Sequence, residues 1–168
     1  MRKAILSVAL ALMLLVVFAV PIFAATSQDV TVNATPSFIS ISNSQSTYNF
    51  GVVVAGTTPT TATDWSTITN SSSVSTDIEI SVTTATWSGG VTWTHSDTAT
   101  AGEDTAGLKA GTGGTNDIIV KFASPNDLVS ALGAGTPYDW NLQLIAPSSF
   151  TDGVQKEIVV RLTAVEAS

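Results

Sequence analysis

The chain has 168 residues, with 13 acidic against 6 basic side chains and a formal charge of −7. Phosphate recognition needs clustered cations, so this balance argues against a nucleic-acid partner and against anionic membrane surfaces. There is no cysteine, which excludes thiol catalysis and cysteine metal sites.

The first residues read as an export signal. Arg2 and Lys3 make a short positive end, Ala4 to Val20 is apolar apart from Ser7, and Pro21 precedes the small residues of "IFAA". That order is the n-region, h-region and cleavage site of a signal peptide, with the cut placed after Ala24 and Ala25 as the next choice. The competing reading is an uncleaved anchor, since the apolar run approaches the length that spans a bilayer. Cleavage leaves residues 25–168 as one domain of charge −9, secreted or held at the cell surface, which meets a membrane only during export.

The remaining chain is poor in charge and rich in Ser, Thr and Val, a composition that suits pleated sheet. Short alternating segments follow one another between turn residues, the cadence of antiparallel strands. "DVTVNA" alternates Val30, Val32 and Ala34; "SFISIS" sets Ile39 and Ile41 on one face; "TYNFGVVV" groups Tyr48, Phe50 and Val52. "DWSTIT" follows around Trp65. "TDIEISVT" is the clearest strand, with Ile78, Ile80 and Val82 inward and Asp77 and Glu79 on a wet face. Later come "VTWTHS", "DIIVKF", "YDWNLQLIAP" and "KEIVVRLTAV". About nine strands predict an all-β, antiparallel, two-sheet immunoglobulin-like sandwich, with Ile80, Val120, Trp140, Leu142 and Val160 in its core. "SPNDLVSAL" is the one helix candidate, capped by Asn126 or Asp127 and ended by Gly133. "TAGEDTAGLKAGTGGT" reads as a connecting loop.

The stretch Ala85 to Gly111 holds two of the four tryptophans and the only histidine. Carried forward from Ile78, the alternation leaves Trp87 on the outer face. A two-residue Gly89-Gly90 turn then pairs it with Thr92 and buries Val91 and Trp93. A three-residue turn at Ser88 to Gly90 would instead pair Trp87 with Val91 and bury both tryptophans. An outward Trp87 would serve as a sugar platform or a subunit contact; the competing reading has a neighbouring loop cover the ring. His95 reads as a surface or half-buried residue at a strand end, because no G-x-S-x-G or ligand spacing accompanies it. Asp97, Glu103 and Asp104 around a glycine turn are calcium candidates, though not at the spacing of the twelve-residue calcium loop. No other cofactor is expected. Asn33 and Asn70 begin N-x-S/T sequons.

The segment "TYNFGVVVAGTTPTTATDWSTITNSSSVSTDIEISV", Tyr48 to Val82, resembles the camelysin and TasA-type biofilm fibre proteins of prokaryotes, which also carry a signal peptide and lack cysteine. The Pro-Gly step common in that family is replaced by Ala55-Gly56, and the second half of the chain does not map on. The resemblance implies self-assembly in which an N-terminal strand completes a neighbour's sheet, and no catalytic residue carries over. The expected function is a non-enzymatic structural subunit of a filament, biofilm matrix or surface layer, with Val30, Val32 and Trp87 as contact residues and the chain itself as partner. The alternative is a carbohydrate-binding or adhesion module, with a polysaccharide as partner.

If the signal reading is right, the exported protein begins at Ala25 or within a residue or two of it. Intact-mass measurement of the exported chain checks this, and a mass that retains Met1 to Ala24 favours the anchor.

Overall fold

The structure is a computed structural model that describes residues 31–168. The signal segment 1–24, its cleavage point and Val30 lie outside the described residues. The chain divides into two units, one ending at Thr35 and the other spanning Pro36–Ser168. In the first, residues 31–35 are exposed and form no strand, with Val32 at 84% exposure.

The second unit is all β, with no helix, and has ten strands in two sheets, one of them curled. The strands are β1 (Ile41–Asn43), β2 (Ser66–Asn70), β3 (Thr76–Val82), β4 (Thr86–Trp87), β5 (Trp93–His95), β6 (Thr105–Gly111), β7 (Ile118–Val120), β8 (Asn126–Leu132), β9 (Pro137–Ile145) and β10 (Val160–Glu166). The larger sheet runs β1-β2-β9-β6-β5-β4, with β7 also paired to β6; the smaller runs β10-β3-β8. All pairings are antiparallel except β5 with β6.

β7 joins the two sheets. Its residues pair with Leu108 to Ala110 of β6. The next carbonyl, of Lys121, accepts the Val82 amide of β3 at 3.0 Å. The Asn126 side chain of β8 donates to the Ile119 carbonyl at 2.7 Å. One apolar cluster fills the space that the sheets enclose, from Ile68, Ile78, Ile80 and Val82 through Leu108, Val120, Leu128 and Leu132 to Trp140, Leu142 and Leu144.

Four of the five expected core residues are buried: Ile80, Val120, Trp140 and Leu142. Val160 is only half-buried, because β10 is the end strand of its sheet. The expected helix at Ser124 to Leu132 is instead β8. Two register shifts against β3 absorb extra residues in β8, so Leu128, Val129 and Leu132 reach the core at a spacing that imitates a helical turn. The presumed loop after Glu103 contains β6, a strand with neighbours on both edges. It is short in β-formers because it is crowded. A Cβ on Gly111 would lie 2.1 Å from the Thr115 carbonyl oxygen, and one on Gly107 would lie 2.7 Å from the Ala99 Cα. The expected strand at Tyr48 to Val54 is also absent. Gly51, at φ 69°, turns the chain there, its amide held by Asn49 Oδ1 at 2.8 Å, and Val52 is left fully exposed.

Trp140 is the largest side chain at the centre of β9. Its indole N–H donates to Asn43 Oδ1 at 3.0 Å, and its ring meets Trp65 edge-on at 5.5 Å. Truncation to alanine should cost about 3–5 kcal/mol, through the cavity it leaves and the loss of both contacts. Denaturant unfolding of Trp140→Ala measures it; a loss below about 1 kcal/mol would mean that the site collapses around the missing ring.

Candidate functional site

The region from Trp87 to His95 is a hairpin with a five-residue connection, Ser88 to Thr92. Trp87 stands opposite Trp93 and Thr86 opposite Thr94. Neither of the two expected registers occurs. The outer-face placement of Trp87 is overturned, since the ring is 6% exposed and packs at 6.1 Å from Trp93, itself 7% exposed. The alternation of β3 does not carry across the bend at Thr83 to Ala85, where the Thr83 amide bonds to the Val159 carbonyl at 3.0 Å and the phase resets. Val91, expected inside, sits in the connection and is exposed.

A second segment, Phe150 to Glu157, clamps this connection. Gly89 and Gly90 take φ of 102° and 55°, and a Cβ on Gly90 would lie 2.2 Å from Asp152 Oδ2. That closeness lets Asp152 accept the Val91 amide at 2.5 Å and pair with Lys156 at 2.7 Å. The Lys156 ammonium also donates to the Gly89 carbonyl and lies 5.7 Å from the centre of the Trp93 ring, within cation–π range. Phe150, at the start of the clamp, stacks parallel to Trp93 at 5.3 Å. Ser88 and Glu157 exchange main-chain bonds of 2.8 and 3.0 Å.

His95 is buried, not at the surface. Its Nε2 bonds to the Val120 carbonyl at 2.8 Å and its Nδ1 has no partner. The indole nitrogens of Trp87 and Trp93 are likewise buried without partners. His95 thus ties the hairpin to β7 and takes no hydroxyl partner of the kind a hydrolytic triad needs.

The three acids proposed for calcium have separate tasks. Asp97 accepts the Phe122 amide at 2.7 Å. Asp104 holds the amide and hydroxyl of Thr151. Glu103 bridges through its main chain to Ser149. Among the described residues, no group of three or more His, Asp or Glu side chains is placed to hold a metal ion.

The two sequons differ in access. Asn33 is exposed. Asn70 is fully buried, donating to the Val74 and Leu132 carbonyls at 3.0 and 2.7 Å and accepting the Ser72 amide at 2.8 Å. A glycan on Asn70 would require this turn to open.

On the outer side of the hairpin a groove of about 450 Å³ runs between β4 and residues Glu157 to Val159, lined by Thr83, Thr84, Thr86, Ser88, Thr92 and the covered edge of Trp87. Hydroxyl groups and the apolar side chains of Ile158 and Val159 share its lining, with little aromatic surface to stack on.

Asp104 and Asp152 anchor the same clamp, and both are held below the ordinary aspartate value of 3.8. The Thr151 hydroxyl is the main cause for Asp104, and the bond from Lys156, then the Val91 amide, for Asp152. A depressed carboxyl stabilises the fold above its unfolded value and loses that effect as pH falls through the folded value. The clamp should therefore loosen only below pH 3.8. Acid titration of tryptophan fluorescence checks this. Asp152→Asn should remove part of the acid transition, and a transition unchanged in that variant would assign it elsewhere.

In comparisons with protein-family models, curated proteins and solved structures, the chain matches none.

Proposed function

We propose that the protein is a non-enzymatic extracellular structural protein: an immunoglobulin-like sandwich that assembles with copies of itself into a filament, biofilm matrix or surface layer by exchange of an N-terminal strand. The observation that carries this reading is the state of β10. Its inward residues Val160, Leu162 and Ala164 stand opposite Val82, Ile80 and Ile78 of β3. The β3 residues are 2%, 0% and 0% exposed, whereas their β10 partners are only half-covered. Among the described residues β10 has no neighbour on its outer edge. Such an edge invites an added strand, which would supply main-chain bonds along Val160–Glu166 and apolar cover for the half-buried row. The segment Val30, Val32 and Ala34 has the alternation to provide it, and Val32 is exposed and outside any strand.

The second reading, a carbohydrate-binding or adhesion module on the cell surface, is favoured by the groove beside Trp87. A sugar there would be held by the Thr and Ser hydroxyls, because the Trp87 ring is covered.

Deletion of Ala25 to Ala34 separates the possibilities. Under strand exchange the variant stays folded and forms no filaments by electron microscopy. A variant that unfolds as a monomer gives the strand to its own sheet, and one that still polymerises sinks the exchange.

A further inference from the structure

The ladder between β4 and the segment that leads into β10 is broken in the middle. It closes at one end, where the Thr83 amide bonds to the Val159 carbonyl at 3.0 Å, and at the other, where Ser88 and Glu157 exchange main-chain bonds. Between those points lie four residues on one side, Thr84 to Trp87, and only Ile158 on the other. The two stretches therefore part, and the groove of about 450 Å³ is the gap between them. That volume lies within the roughly 300–1,000 Å³ of small-molecule sites.

The gap continues into a row of threonines. Thr86 of β4 stands opposite Thr94 of β5, and Thr94 opposite Thr105 of β6. Register partners turn their side chains to one face. Here it is the outer face, since Trp87, Trp93, His95 and Ala106 beside them are buried, while Thr86 and Thr94 are exposed and Thr105 is half-buried. The row crosses three strands and spans about 10 Å. Thr86 belongs both to it and to the wall of the groove.

The Thr84 hydroxyl donates to the Thr86 carbonyl at 2.7 Å and the Ser88 hydroxyl to the Glu157 carbonyl at 3.3 Å, so both oxygens remain as acceptors. Trp87, in the same wall, carries a buried indole N–H that the protein leaves unpaired. An unpaired buried donor lowers its energy when an acceptor arrives. The lining has no Lys, Arg or His, and Glu157 is its one acid. The adjoining cation, Lys156, is spent on Asp152 and the Gly89 carbonyl.

We infer that the groove and the threonine row together form a track for a neutral polysaccharide chain, with Glu157 as the residue that sets its class. The inference rests on the carbohydrate-binding reading and is independent of strand exchange. Hydroxyls that donate and accept suit a ligand whose own groups do both. The threonine methyls, Ile158 and Val159 meet the C–H faces of its rings. Glu157 accepts from sugar hydroxyls and repels a carboxylate or sulfate, which finds no cation in the lining. A single ring fills only part of a groove and row of this length, so the ligand is a chain.

Native gels cast with a dissolved polysaccharide slow a protein that binds it. The exported chain should be slowed by at least one of the neutral polymers laminarin, galactomannan and dextran, and by neither alginate nor polygalacturonate. Thr86→Val and Thr94→Val each remove one hydroxyl while keeping a β-branched side chain. Each should weaken the neutral binding about tenfold, with circular dichroism reporting that the fold is kept. Thr58→Val, at an exposed threonine elsewhere, should leave it unchanged. Glu157→Gln should admit alginate. Neutral binding that survives both threonine substitutions overturns the track and leaves the carbohydrate reading to another surface. Alginate that slows the wild-type chain, or slows neither it nor the Glu157→Gln variant, overturns the role of Glu157. A chain that no polymer slows overturns the track and the carbohydrate reading together and leaves the filament reading untouched.

Discussion

Most of this fold depends on the crowding of one strand. β6 is bounded by β9 along one edge and by β5 and then β7 along the other, and its Ala106, Gly107, Leu108, Ala110 and Gly111 are all buried. At two points of this strand another stretch of main chain lies so close that only glycine fits, Ala99 against Gly107 and Thr115 against Gly111. The close approaches at Gly107 and Gly111 show that one added methyl group would displace a neighbouring main chain. β7 lies beside Leu108 to Ala110 of β6 and continues across to β3. Because β7 crosses, the two sheets share a single core.

The same crowding explains what the sequence disclosed and what it hid. A strand with one wet face announces itself by alternation, and β3 does so through Ile78, Ile80 and Val82 against Asp77 and Glu79. β9 does the same through Trp140, Leu142 and Leu144, although Asn141, on its opposite face, is also buried and bonds to Asn116 and Thr115. β6 shows water only Thr105 and Lys109, both half-buried, and its glycines imitate a loop. β8 lost its alternation to register shifts and imitated a helix. The hairpin at Trp87 failed for another reason: phase is a local property, and three residues of bend between β3 and β4 are enough to reset it. No pattern within Ala85 to Gly111 foretold that Asp152 and Lys156, some sixty residues on, would fix its conformation.

The candidate site was legible as a place more than as a mechanism. Its unusual residues do gather: Trp87, Trp93 and His95 form one buried group, and Phe150 and Lys156 close over it. Their chemistry is spent inside the protein, on a cation–π contact, a stacked pair and a bond from imidazole to main chain. What the described residues expose is of a different kind: sheet edges, apolar side chains and the groove beside Trp87.

The order of strands also sets when the larger sheet can form. β9 lies between β2 and β6, yet it is encoded after both, and β10, which completes the smaller sheet, comes last. Until Pro137 and its successors have emerged, β2 and β6 share no neighbour, and β3 lacks one of its two partners. Such distant pairings are slow to close, because the loop entropy must be met before any contact repays it. On this topology neither sheet can be completed before Pro137–Ile145 and Val160–Glu166 have been made.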